Sequence, residues 1–147
     1  MPLFAIIYRV AVALWVGGIA IFTFLLTPVI FKNNDRDTAG KIVGDLFPGY
    51  FRWGVACGVV ALTSIVIVWQ KDPLLLQAIV LVIMLSITSF QAFYIEPRVK
   101  ALKREIPSFV TTPKDHPARR LFSKLHAVSA ICNLAVFAGG VALISLS

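Results

Sequence analysis

Between Phe122 and Leu134 a largely apolar stretch carries Lys124, His126, Ser129 and Asn133. Phe122, His126, Ser129 and Asn133 follow one another at steps of four, three and four, which puts them on one face of a helix. An imidazole titrates near neutral pH and can donate, accept or ligate a metal, while a hydroxyl and an amide each donate and accept hydrogen bonds. Hydrocarbon satisfies none of these groups. An apolar helix bearing such a stripe must therefore turn it toward protein or water.

The rest of the chain narrows the chemistry. It is 59% hydrophobic and 14% charged, where a soluble domain is about 45–50% apolar and about 25% charged. The chain therefore reads as an integral membrane protein surrounded by a lipid bilayer, with residues 1–147 forming one four-span membrane domain. The net charge of +7 comes from basic residues placed between apolar runs, so topology explains it and nucleic acid is not an expected partner. The first apolar run is too long for a secretory h-region and lacks a small-residue cleavage pattern. Cys57 and Cys132 both lie in apolar segments and form no disulfide framework. No Ser-His-Asp set, paired carboxylates, CxxC or four-ligand zinc spacing is present, which favours a non-enzymatic reading.

Four elements must position the polar groups. Spans are expected at about 3–31, 50–69, 74–95 and 118–145. Thr38 to Phe47 is short and amphipathic and reads as an interfacial helix stopped by Pro48-Gly49. Asp72 and Pro73 fit the cap and first position of the third span. Arg98 to Ile106 keeps helical spacing and reads as a basic extension ended by Pro107. The expected fold is an all-α four-helix transmembrane bundle, up-down-up-down. Twelve of the fourteen Lys and Arg residues follow the first or third span, leaving only Arg9 and Lys71 on the other side. The positive-inside rule then puts loops 32–49 and 96–117 in the cytoplasm and both termini outside, in a plasma or bacterial inner membrane.

Each span carries a stripe of small or polar residues: Arg9 to Thr27, Tyr50 to Ser64, Gln77 to Gln91 and Phe122 to Gly140. Such stripes serve as packing seams, since small residues let membrane helices approach closely. Depth adds a functional reading. Thr27, Tyr50, Gln91, Tyr94, Glu96 and His126 fall near the cytoplasmic helix ends, with Ser129 and Asn133 further in, and can converge on one polar pocket. His126 could equally form a structural bond to Tyr94 or Glu96, and Glu96 could pair with Arg98 or Lys100. On the outer side Arg9 either snorkels, pairs with Asp72 or bonds Gln77.

Trp15-Val-Gly-Gly, Thr27-Pro28, Ala39-Gly40, Leu46-Phe-Pro-Gly-Tyr-Phe51, Tyr94 with Pro97, and Phe122-x-x-Leu-His126-x-x-Ser129-x-x-x-Asn133 occur in that order. Together they resemble the transmembrane protein 205-like family. The resemblance implies a four-span membrane domain of largely unknown biochemistry, with a hint of soft-metal handling or trafficking from an animal relative.

Three functions are compatible with these residues. The first is a pocket on the cytoplasmic side that binds or passes a small ligand or cation. The second is a scaffold or accessory subunit, as a homo-oligomer or within a larger membrane complex. The third is a redox protein holding a quinone, or a haem through His126 alone, because a second membrane histidine is lacking. No metal or cofactor is specified by the residues themselves.

Overall fold

A computed structural model describes residues 2–68 and 73–146 of the chain. Four helices are long and apolar enough to cross a membrane: α1 (Pro2–Asn33), α2 (Arg36–Val68), α3 (Leu74–Glu105) and α4 (Pro117–Ser145). No strand occurs among the described residues. The expected all-α four-helix bundle is what forms, and the chain is a polytopic membrane protein.

Successive helices run antiparallel. Gln77 near the start of α3 donates to the Leu146 carbonyl just past α4, at 2.9 Å, and Gln91 late in α3 meets Ser129 early in α4. Each helix packs along two neighbours, and among the described residues the backbones make no close approach across either diagonal, so the cross-section is a closed square. Large apolar residues such as Phe24, Ile83, Phe93 and Ile131 point outward, as lipid requires.

Small residues set how closely the helices approach. Trp15 of α1 is 2% exposed and lies across α2 at Gly54 and Gly58. A Cβ at Gly58 would stand 2.8 Å from the Trp15 ring and from Leu85, so only glycine fits there. Val12, Ala61, Leu81, Met84, Val136 and Leu143 complete the core.

Three prolines, Pro28, Pro48 and Pro97, lie inside the long helices rather than at their ends. The sequence reading stops a helix at Pro48. Instead, residues 38–47 are the first turns of α2, which continues through Pro48 to Val68. An internal proline costs a helix about 3 kcal/mol, and packing on both sides of it opposes that cost. Phe47 and Phe51 stack at 5.5 Å and 8°, and Phe22 lies against Phe47 and Tyr50. In α1 and α3 a π-helical turn precedes the proline, at Ile21–Leu26 and Gln91–Ile95. The turns close through Thr27 N–H to Phe22 O and Glu96 N–H to Gln91 O, just before Pro28 and Pro97. A widened turn re-satisfies backbone groups that a proline disturbs.

A 32-residue helix such as α1 or α3 is about 48 Å long, against a hydrocarbon core of about 30 Å. Helices α1, α2 and α3 therefore project beyond the membrane interior at the end rich in Lys and Arg. Side chains brace this basic end. Asp35 caps α2 by accepting from the Thr38 N–H at 3.0 Å and the Thr38 hydroxyl at 2.6 Å. Asp37 accepts from the Phe109 N–H at 2.7 Å and from the Ser108 hydroxyl. These bonds pin the connection between α3 and α4 onto α2.

Candidate functional site

Polar groups from all four helices meet below the basic end. Asn133 of α4 is their centre. Its side-chain oxygen accepts from the Tyr50 hydroxyl of α2, and its Nδ2 donates to Thr23 Oγ1 of α1 at 2.9 Å. Alongside, Gln91 of α3 is 1% exposed and donates to both the carbonyl (2.9 Å) and the hydroxyl (3.0 Å) of Ser129 on α4. Thr23 and Gln91 both sit in the π-helical turns, where the backbone is widened. Phe22 stacks on the Tyr50 ring at 4.3 Å and 23°, which holds the phenol against Asn133. A void of about 10 Å³ beside Tyr50, Gln91 and Asn133 is no larger than a single water site. This network therefore ties helices together and leaves no room for a ligand.

Above it lies a cavity of about 560 Å³, within the ~300–1,000 Å³ range of small-ligand sites. The first turns of α2, the end of α3, residues 106–109 and the start of α4 enclose it. His126, Ser129 and Phe51 line its inner side, and Lys41, Lys103 and Arg104 bring positive charge to its walls. Ser129 and Phe51 border both the cavity and the network, so the two are stacked along the bundle axis.

Lys103 is the most buried of the basic residues that line the cavity. Its Nζ donates to the Gly40 carbonyl at 2.6 Å and lies 5.9 Å from the centre of the Phe122 ring. Gly44 makes room for this reach, because a Cβ there would stand 2.5 Å from the Lys103 Nζ. His126 lies parallel to the same Phe122 ring, 6.0 Å away at 4°. Phe122 is thus a shared platform for an ammonium and an imidazole.

The residues singled out in the sequence separate into groups. His126, Ser129 and Glu96 line the cavity. Tyr50, Asn133, Gln91 and Ser129 make up the network beneath. Tyr94 lies outside both: it is 44% exposed, stacks on Phe90 at 5.1 Å and carries the Arg98 guanidinium 4.3 Å above its ring. Thr27 is half-buried and borders neither feature; Thr23 supplies the hydroxyl that bonds Asn133. Arg9 is exposed near the opposite end, and Asp72 lies outside the described residues. Lys103, Lys41 and Asp45 were not foreseen as cavity residues. The Gly40-x-x-x-Gly44 pair, which opens a path along α2, was the available signal.

A family model described as a domain of unknown function (DUF4149) matches residues 10–108. The chain belongs to the DUF4149 family. The DUF4149 match takes in Thr23, Tyr50, Gln91 and Lys103 and ends before α4, so His126, Ser129 and Asn133 lie beyond it. No curated protein and no solved structure matches the chain significantly. Among the described residues no group of three or more His, Cys, Asp or Glu could hold a metal ion. Cys57 is buried in the core, and Cys132 is half-buried on α4.

Proposed function

We propose that this DUF4149 protein is a non-enzymatic membrane protein that binds a small ligand in the cavity at its basic end. One observation carries this reading: a roughly 560 Å³ space bordered by His126, Ser129 and Glu96 and walled by lysine and arginine. The charge distribution of the sequence supports a cytoplasmic opening for it. Four Lys and Arg residues line it against Asp37, Asp45 and Glu96, a slight positive balance that does not favour a simple cation as the ligand. The likeness to the transmembrane protein 205-like family belongs to the same proposal. Two of the segments that carry it, Leu46–Phe51 and Phe122–Asn133, contribute Phe47, Phe51, His126 and Ser129 to the cavity.

Filling the cavity tests the reading. Val99 borders it without taking part in the buried network. Native mass spectrometry of the full chain released from membranes should show a retained small molecule in the wild type and none in Val99→Trp. A wild type free of adducts, with Val99→Trp unchanged in thermal stability, would overturn it.

A further inference from the structure

Resting on that reading of the cavity, we propose that its ligand is an amphiphile with an anionic phosphate or carboxylate head, held by Lys103 and His126, and an apolar tail on Phe47, Phe51 and Phe109.

Consider the head first. An ammonium has three N–H donors and no acceptor. Lys103 directs one to the Gly40 carbonyl, and the side chain is held there by the passage that Gly44 leaves. That bond goes to a neutral backbone oxygen, and Asp45 is the carboxylate whose charge acts on the ammonium. His126 lies parallel to the same Phe122 ring and lines the same cavity. A fixed ammonium beside an imidazole suits an oxyanion, because charge-assisted hydrogen bonds to ionised oxygens are among the strongest available.

The acidic residues nearby do not reverse this. Asp37 keeps its charge while accepting from the Ser108 hydroxyl and the Phe109 N–H, and the three lining carboxylates, Asp37, Asp45 and Glu96, are outnumbered by four Lys and Arg. Asp45 and Glu96 border the cavity but are opposed by Lys41, Lys100, Lys103 and Arg104.

The tail is inferred from the remaining surface. Phe47 and Phe51 stack in parallel on α2, and Phe109 packs against Phe122 at 4.8 Å. A small hydrophilic anion would leave the cavity-facing surfaces of the half-buried Phe47 and Phe109 in water. An alkyl or isoprenoid chain would cover them, gaining about 25 cal/mol for each Å² withdrawn from water. The cavity also lies where the long helices emerge from the hydrocarbon, the depth at which lipid head groups sit.

The test uses the full chain in nanodiscs of uncharged phosphatidylcholine, with thermal unfolding read by tryptophan fluorescence. The probes are dodecyl phosphate, dodecanol, dodecyltrimethylammonium and inorganic phosphate. A ligand that binds only the folded state raises the unfolding temperature with concentration. Dodecyl phosphate should do so, and the other three should not at equal concentration. Lys103→Gln should weaken dodecyl phosphate roughly tenfold, the loss expected from one charge-assisted hydrogen bond. Lys103→Arg should recover most of it. Arg98→Gln, which removes a cation outside the cavity, should change nothing. If Lys103→Gln does not fold, His126→Gln carries the same comparison.

Equal response to dodecanol, or preference for the ammonium probe, overturns the anionic head while the cavity remains a ligand site. Equal response to inorganic phosphate overturns the tail. A dodecyl phosphate effect unmoved by Lys103→Gln and His126→Gln is a bilayer effect and also overturns the proposal. If no probe acts and Val99→Trp retains every wild-type property, the cavity reading fails with it.

Discussion

Removing Asn133 should loosen three helices at once, and the loss can be apportioned. The side chain accepts from Tyr50 and donates to Thr23, so Asn133→Ala severs links from α4 to both α2 and α1. Interhelical hydrogen bonds inside membranes average about 0.6 kcal/mol and reach about 1.7, which puts the two bonds together at about 1–3 kcal/mol. The Tyr50 hydroxyl is left with Thr23 alone, in a space holding at most one water, and an incompletely satisfied donor costs about 1–3 kcal/mol. Asn133→Ala should therefore destabilise by about 2–6 kcal/mol in total. Tyr50→Phe removes one bond, keeps the ring that stacks on Phe22, and should cost about 1 kcal/mol. The double variant decides the matter. In Tyr50→Phe with Asn133→Ala no orphaned hydroxyl exists, so the pair should be less damaging than the sum of the single changes by about 1–2 kcal/mol. Equilibrium unfolding in nanodiscs by steric trapping measures all three values. Additivity within about 0.3–0.5 kcal/mol would show that the two groups act independently and would refute the network.

Other expectations concern packing, pH and topology. Gly58→Ala should destabilise by about 1–3 kcal/mol, because the new methyl meets the Trp15 ring and Leu85; Gly49→Ala, whose Cβ would meet nothing within 4 Å, is the matched control in the same unfolding assay. The hydroxyl and backbone N–H of Thr38 hold the Asp35 carboxyl below its ordinary pKa of 3.8, so its cap stabilises above that pH and the benefit disappears as acid protonates the folded form. Asp35→Ala should therefore be less stable than wild type at pH 7, and the two should converge as pH falls through the folded-state pKa; a gap that stays constant into acid would contradict the cap. If the connection between α3 and α4 faces the cytoplasm, Lys114→Cys should react with an impermeant maleimide only after the cells are permeabilised, and labelling of intact cells would invert the proposed orientation.

The bundle was legible because its cause is written residue by residue: four apolar runs, separated by charge, have few alternatives in lipid. Asn133 and Gln91 were legible for a related reason, since a side-chain amide on an oily helix seeks a partner on another helix, whereas hydroxyls such as Thr63 and Ser86 bond the carbonyl four residues back and stay outward. The handling of proline was not. Pro48 looks the same in sequence whether it ends a helix or sits within one, and the outcome here accompanies Phe22, Phe47 and Phe51 packing across it, a contact between residues distant in the chain. The π-helical turns matter more for the site. Each accommodates an extra residue and so rotates every later side chain about the helix axis. On α3 the alternating count through Gln77, Leu81, Met84, Thr88 and Gln91 continues to Ile95, Arg98 and Leu102. The cavity is lined by Ile95, Val99 and Lys103 instead, one position later beyond the widened turn. Plain helical spacing thus sends Lys103 toward water with Lys100 and Arg104, whereas the structure brings it under Gly40. The same slip leaves Thr27 off the face where spacing set it, while Tyr94, expected at the pocket from its depth, faces outward. A proline six or seven residues after the start of each widened turn, with a polar residue inside that turn, is the pattern shared by Thr23-to-Pro28 and Gln91-to-Pro97. Its two occurrences lie where the cavity and the Asn133 network stack along one axis.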